Sequence, residues 1–291
     1  MAVEAWAVVL AGGDGRRVAA VTRDAQGRSV PKQYWPIANG TPMLRWAMAR
    51  AQRVVPAHRV LVVVNRAHRA YWEPALADVF RHNLLVQPRN RGTAVGVLFA
   101  LLAIGARGGP DARVVFLPSD HFVGDEAVLR QGVLTALASV DTDGRAVHLL
   151  GMKPEGPVAD YGWLVPASDG VVADVARFVE KPPLESVGPL VEGGALINSF
   201  VLVTRVDTLL RLFAAAAPHL LAALRACLGR HAASLDFARA YDSLADTDLS
   251  RDVLERHARD LRVVRVAPCG WSDLGTPARL QPFLVGHHSA A

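Results

Sequence analysis

The chain opens on an unbroken apolar run, Ala5-Trp6-Ala7-Val8-Val9-Leu10-Ala11, which stops at Gly12-Gly13-Asp14-Gly15-Arg16-Arg17. A run this short, closed by glycines, predicts a strand buried on both faces. Similar runs at 59–64, 83–87, 112–117 and 146–151 predict further buried strands. Helices are predicted between them over 67–80, 92–107 and 125–140, and Thr41-Pro42 reads as an N-cap with proline in the first turn of a helix over 41–54. Strands alternating with helices at this spacing imply βαβ units, hence an α/β fold with a Rossmann-like, mixed but mostly parallel sheet flanked by helices. Such sheets bind ligands beyond the carboxyl ends of their strands. Both the glycine loop and Pro118-Ser119-Asp120-His121 fall at such ends.

Past Gly151 the rhythm shortens: β-like pieces at 162–166, 171–180 and 195–204 precede a helical stretch over 206–228. These predict a smaller β-rich lobe continuous with the sheet. Leu209, Leu210, Leu212 and Phe213 fall at helical spacing and are expected in the core. The length of 291 residues, 51% of them hydrophobic, suits one domain over 1–285 with halves meeting near 150 and a frayed tail over 286–291.

Composition narrows the function classes. The net charge is +5, but basic residues are scattered among acidic ones with no Lys/Arg-rich block, so no nucleic-acid partner is expected. The longest uncharged stretch, 92–106, is shorter than a membrane span, and Glu4 stands where a signal peptide carries positive charge, so no membrane is expected either. Cys227 and Cys269 lack metal-ligand spacing and are too few for a disulfide framework, which suits a reduced, cytoplasmic protein.

The glycine loop carries the first chemical signal. Glycines let backbone N–H groups approach an anion, and Arg16, Arg17 and Lys32 supply balancing charge. Neither common phosphate motif fits. The dinucleotide fingerprint needs a glycine where Val18 stands, and no Gly-Lys-Ser/Thr closes the turn as a P-loop requires. Only Lys32, Lys153 and Lys181 are lysines, and a compact ammonium at a phosphate is not freely exchanged for a guanidinium. His121 has both a structural and a functional reading, whereas His58, His68 and His148 read as incidental.

Taken in chain order, Leu10-Ala11-Gly12-Gly13-Asp14-Gly15-Arg16-Arg17, Pro31-Lys32-Gln33, Pro118-Ser119-Asp120-His121, Tyr161-Gly162-Trp163, Phe178-Val179-Glu180-Lys181-Pro182, Asn198-Ser199 and Trp271-Ser272-Asp273-Leu274-Gly275 resemble the sugar-1-phosphate nucleotidyltransferases, most closely the mannose-1-phosphate guanylyltransferases. The resemblance implies that a sugar 1-phosphate attacks the α-phosphate of a nucleoside triphosphate, giving nucleotide sugar and pyrophosphate. It implies a nucleotide-binding half up to about residue 150, with Leu10, Gly12, Gly13, Gly15, Gln87, Gly92, Thr93 and Asp120 at the nucleotide, and Arg17, Lys32 and Asp120 catalytic. The sugar-binding half, 151–285, would place Tyr161, Gly162, Glu180, Lys181 and Asn198 at the sugar phosphate. Asp120 and Asp273 would hold Mg²⁺, which commonly takes one or two carboxylates plus substrate phosphates. Against these roles, Asp120 and Asp273 also suit turns, and Glu180-Lys181 a solvated ion pair. Dimers are common in that family, so a homodimer is an expectation, and with no long C-terminal extension no second activity is expected.

The chain departs from the family pattern in places. Arg16 stands for threonine, 22–29 is a polar insertion, and Gln87, Gly92 and Val95 replace Glu, Asn and Pro beside the base. Ile197 and Phe200 replace Trp and Gly around Asn198. Base and sugar therefore stay open: uridylyl, thymidylyl or adenylyl transfer, or a heptose or cyclitol phosphate acceptor, are alternatives, as is a non-catalytic nucleotide-sugar-binding regulator.

Overall fold

In the computed structural model, which describes residues 5–37, 40–228 and 235–284, the opening apolar run is strand β1 (Ala5–Ala11). Its side chains alternate between two cores. Val8 packs with Leu61, Leu98 and Phe116 on one face, while Ala7 and Val9 pack with Leu44, Val62 and Val115 on the other. A strand with two buried faces cannot alternate polar and apolar residues, which is why the run is continuous.

Helix α1 (Met43–Gln52) leads to β2 (Val60–Asn65), α2 (Arg69–Ala75) to β3 (Leu84–Gln87), and α3 (Thr93–Gly108) to β4 (Arg113–Pro118). These strands lie in the order β3-β2-β1-β4, all parallel. Helix α4 (Glu126–Thr142) follows, capped by Asp125, whose side chain accepts from the amides of Ala127 and Val128.

The second half extends the same sheet. Its strands are β5 (Val147–Met152), β6 (Gly162–Pro166), β7 (Val172–Glu180) and, after α5 (Val187–Glu192), β8 (Leu196–Arg205). Helices α6 (Val206–Ala216), α7 (Pro218–Leu228) and α8 (Leu235–Asp242) precede β9 (Leu261–Val266) and α9 (Pro277–Leu284). The order continues β4-β8-β5-β9-β7-β6, and β6 returns to pair with the start of β8. Here only β5 and β9 run parallel, so the parallel pairing of the expected mixed sheet is concentrated in the first half.

Several expected elements differ in detail. Thr41 does not cap α1: Pro42 takes the capping position, and the Thr41 carbonyl accepts from the Ile37 amide. The helix expected over 67–80 is cut to α2, whose interior Pro74 removes a hydrogen bond, and a 3₁₀ turn (Arg66–His68) precedes it. The stretch expected over 206–228 is two helices, because Pro218 disfavours helical backbone at Ala217, which takes φ −141° and ψ 57°. Leu209, Leu212 and Phe213 are fully buried as expected. The tail over 286–291 lies outside the described residues.

Candidate active site

The glycine loop leaves the carboxyl end of β1 and is pinned from below. Gln33 donates its amide to the carbonyls of Ala11, at 3.0 Å, and Gly13, at 2.8 Å. Gly15 adopts φ +65°, and a Cβ there would lie 2.7 Å from the Lys32 amide nitrogen, so only glycine fits. Arg16 turns outward onto Asp14, 3.1 Å away, and is largely exposed. The insertion at 22–29 folds on itself, with Asp24 accepting from the amides of Gln26 and Arg28.

The loop and its anchor carry Lys32 to the floor of the site. The Lys32 ammonium, only 5% exposed, lies 2.9 Å from Asp120 Oδ2 and also donates to the Asp273 carbonyl. It thereby ties the carboxyl end of β4 to a segment that lies 241 positions beyond Lys32 itself. Burial works to raise the Asp120 carboxyl, but the Lys32 charge 2.9 Å away opposes it, and the group is held below its ordinary value. Asp273 is held from several sides: its Oδ1 accepts from Tyr161 Oη at 2.9 Å, Arg279 Nη1 at 2.7 Å and the Gly275 amide at 3.0 Å. Arg279 also pairs with Asp160 and lies 4.7 Å over the Tyr161 ring. Burial and the Asp273 charge raise the Tyr161 hydroxyl above its ordinary value. Arg17 reaches the same cluster, 3.5 Å from Asp160 and 3.9 Å from Asp273 Oδ2.

Above this floor opens a cleft of about 390 Å³. Leu10, Gly12, Gly13, Arg17, Gln87, Gly92, Thr93 and Asp120 line one side, and Tyr161, Gly162, Glu180, Lys181, Asn198 and Asp273 the other. Lys32 and Gly15 line an adjoining hollow that shares Arg17, Gly92 and Asp120. The structure thus gathers every residue to which the resemblance gives a site role into one connected region, while Lys153 lies elsewhere.

The two sides differ in construction. Gln87, buried at the end of β3, accepts from Tyr241 Oη at 2.6 Å through its amide oxygen. Gly92 takes φ +86°, and any Cβ there would strike the Thr247 backbone. The first turn of α3 is clamped by that segment: Ala94 N–H donates to the Thr247 carbonyl, and Thr93 Oγ1 accepts from the Leu249 amide at 2.8 Å. Opposite, a Cβ on Gly162 would lie 2.5 Å from Glu180 Oε2. Burial pushes the Glu180 carboxyl up, against the Lys181 ammonium 3.5 Å away. Asn198 Oδ1 accepts from the Phe200 amide at 3.0 Å. Among the described residues other than glycine, the positive φ values belong to Lys181, Phe200 and Leu274, each beside this cleft or next to a residue lining it. Clustered backbone strain of this kind marks functional sites.

Sequence reading missed Asp160, Arg279, Tyr241 and the segment at 247–250. Arg279 lies six positions beyond Asp273 in α9, and no motif marks it. Tyr241 carried a faint signal as an aromatic on the amphipathic α8.

The donor set suits a hard divalent cation. Among the described residues no three His, Cys, Asp or Glu side chains gather into a ready-made metal cage. Asp120 gives Oδ2 to Lys32 and keeps Oδ1 to offer, whereas Asp273 gives Oδ1 to Tyr161 and Arg279 and turns Oδ2 toward Arg17, 3.9 Å away, so a cation there would take the place of that guanidinium. One or two carboxylates completed by phosphate and water are the usual surroundings of Mg²⁺.

A mixed α/β sheet whose parallel half ends in a glycine loop, beside a buried lysine paired with a carboxylate, makes an arrangement suited to phosphate groups. Comparison with known proteins is narrower: the chain belongs to the nucleotidyl transferase family, whose model matches residues 6–282. It is 30% identical over 276 residues to the xanthan biosynthesis protein XanB of Xanthomonas campestris, covering 92% of this chain and 57% of that one. It is likewise 30% identical over 285 residues to the mannose-1-phosphate guanylyltransferase ManC of Salmonella typhimurium, covering 93% and 58%. The chain therefore spans less than two thirds of the length of these relatives. Among solved structures, a Thermus thermophilus protein described as a mannose-1-phosphate geranyltransferase is 28% identical and superposes with a TM-score of 0.81, covering 94% of this chain and 77% of that one. A UDP-glucose pyrophosphorylase, 14% identical with a TM-score of 0.58, shares the fold. No helix among the described residues is long and apolar enough to cross a membrane.

Proposed function

We propose that the chain joins a sugar 1-phosphate to a nucleoside triphosphate, with mannose 1-phosphate and GTP the first choice. A phosphate oxygen of the sugar attacks the α-phosphorus in line; the new P–O bond forms as the bond to the β-phosphate oxygen breaks, and pyrophosphate leaves. Such transfer needs little covalent help and is carried by alignment and by charge neutralisation. The observation that carries this reading is the buried Lys32 between Asp120 and Asp273, in a hollow beside the glycine loop that adjoins the cleft walled by Glu180 and Lys181. Lys32 and Arg17 supply positive charge to the triphosphate, Gly12 and Gly13 give its oxygens close backbone approach, and Lys181 meets the sugar phosphate. Tyr161, Glu180 and Asn198 orient the sugar. Mg²⁺, held by Asp120 and Asp273, would neutralise charge on the phosphate oxygens when bound.

One observation narrows the choice of base. Tyr241 donates to the oxygen of the Gln87 side chain, which leaves that amide its N–H₂ to offer. A donor there suits a carbonyl on the base, which guanine, uracil and thymine share and adenine lacks. The deciding experiment crosses GTP, UTP, dTTP and ATP with hexose, heptose and cyclitol phosphates and records pyrophosphate release. Release with GTP and mannose 1-phosphate is the expected result. Nucleotide-sugar binding with no release under any pairing would identify a regulator instead.

A further inference from the structure

His121 follows Asp120 at the end of β4 and lines the cleft, yet none of the roles above uses its side chain. The ring stands edge-on to Trp271, with centroids 5.4 Å apart at 80°, and the Trp271 indole N–H donates to His121 Nδ1 at 3.3 Å. An indole nitrogen can only donate. Nδ1 therefore carries a lone pair, the ring is neutral, and its single proton sits on Nε2. The backbone is fixed as well: the His121 carbonyl accepts from Arg50, whose guanidinium is held by both oxygens of Glu126 at 2.8 and 3.0 Å. Nε2 itself lies 3.8 Å from Asp120 Oδ1, too far for a hydrogen bond, and has no hydrogen-bond partner among the described residues. A rigid ring with one anchored nitrogen thus holds an unspent donor beside the buried lysine–carboxylate pair.

We propose that His121 is a neutral, tautomer-locked donor whose Nε2–H binds a phosphate oxygen of the nucleotide next to Asp120. The inference rests on the nucleotidyl-transfer reading for its ligand. A phosphate drawn to Lys32 also approaches the Asp120 carboxylate, and like charges repel. An N–H between the two offsets that repulsion without adding a further cation, while the indole prevents the ring from turning its lone pair toward the phosphate.

Two measurements test this. In protein labelled with ¹⁵N-histidine, the His121 spectrum should show a bare Nδ1 and a protonated Nε2 at neutral pH; a proton on Nδ1 overturns the proposal without reference to activity. Calorimetric titration with magnesium GTP then compares variants. His121→Phe keeps the ring packing and removes the donor, and should bind about ten- to a hundredfold more weakly, the range for one hydrogen bond to a charged group. His121→Gln, whose amide N–H₂ can stand near the Nε2 position, should stay within a few-fold of wild type, with melting temperatures confirming that both variants fold. Wild-type affinity in His121→Phe, or equal loss in both variants, overturns the donor role alone. Failure of the wild-type chain itself to bind GTP, UTP, dTTP or ATP overturns this inference and the nucleotidyl-transfer reading together.

Discussion

Lys32 shows how one side chain can organise distant parts of a chain. Its ammonium meets a β4 carboxylate and a carbonyl from the segment leading into α9, and neither contact is local. Replacing it by alanine removes a charge donor from the phosphates and leaves the Asp120 carboxylate unpaired. Lys32→Ala should therefore slow turnover by roughly 10² to 10³-fold, the scale for one well-placed donor at a transition state. Initial rates of pyrophosphate release measure this, and near-normal turnover would remove Lys32 from the mechanism. Phe200 is instructive in another way. The resembled family carries glycine here, and Phe200 keeps the glycine-like backbone, φ 60°, despite its side chain. A cost of about 1–3 kcal/mol is usual for such a conformation. The surrounding strand, tied by Asn198 and Ser199 to neighbouring amides, holds it there.

At the scale of elements, the α3 terminus depends on a close fit. Gly92 combines positive φ with direct contact to Thr247, so Gly92→Ala must move the segment that also binds Thr93. A loss of about 1–3 kcal/mol is expected, read as a drop of several degrees in melting temperature, together with weaker nucleotide binding. An unchanged melting temperature would show that the segment yields freely. Elements built from local pattern were legible in the sequence: β1, β2, β4 and, apart from His148, β5 are largely apolar runs because both faces are buried. β9 was not recognised, since Arg262 and Arg265 break its apolar sequence, although each is satisfied by neighbours on the sheet surface. Within the site, residues in compact motifs were readable, such as Asp120 after β4 and Gly15 before Lys32. Arg279 and Tyr241 were not, because their meaning arises only when α9 and α8 fold back on the cleft.

The whole molecule should respond to acid in a definable way. His148 is fully buried on β5, bonded to Ser139 at 2.8 Å, and its Nδ1 has no hydrogen-bond partner among the described residues. Burial, helped by the Arg262 charge, pushes its pKa down to about 4. The unfolded chain would bind a proton there near pH 6.5, so between pH 6.5 and about 4 unfolding takes up a proton and stability falls as pH falls. From pH 7 to 5 this one group should account for about 2 kcal/mol. His121, partly buried in the cleft wall, pushes the same way. Denaturant unfolding at the two pH values should show a smaller acid loss in His148→Gln than in wild type; an equal loss would locate the sensitivity elsewhere.

The return of β6 to β8 has a consequence for the protein in crowded solution. A strand edge with unpaired amides and carbonyls invites pairing with other chains, and sheets of this size ordinarily expose two. Here, among the described residues, β6 pairs with β7 along its length and with β8 at Trp163 and Leu164, so the sheet bends back upon itself and β3, only four residues long, is the border left fully open. A short border offers little template for intermolecular strand addition. The same closure that shapes the cleft wall thereby also limits self-association into fibres.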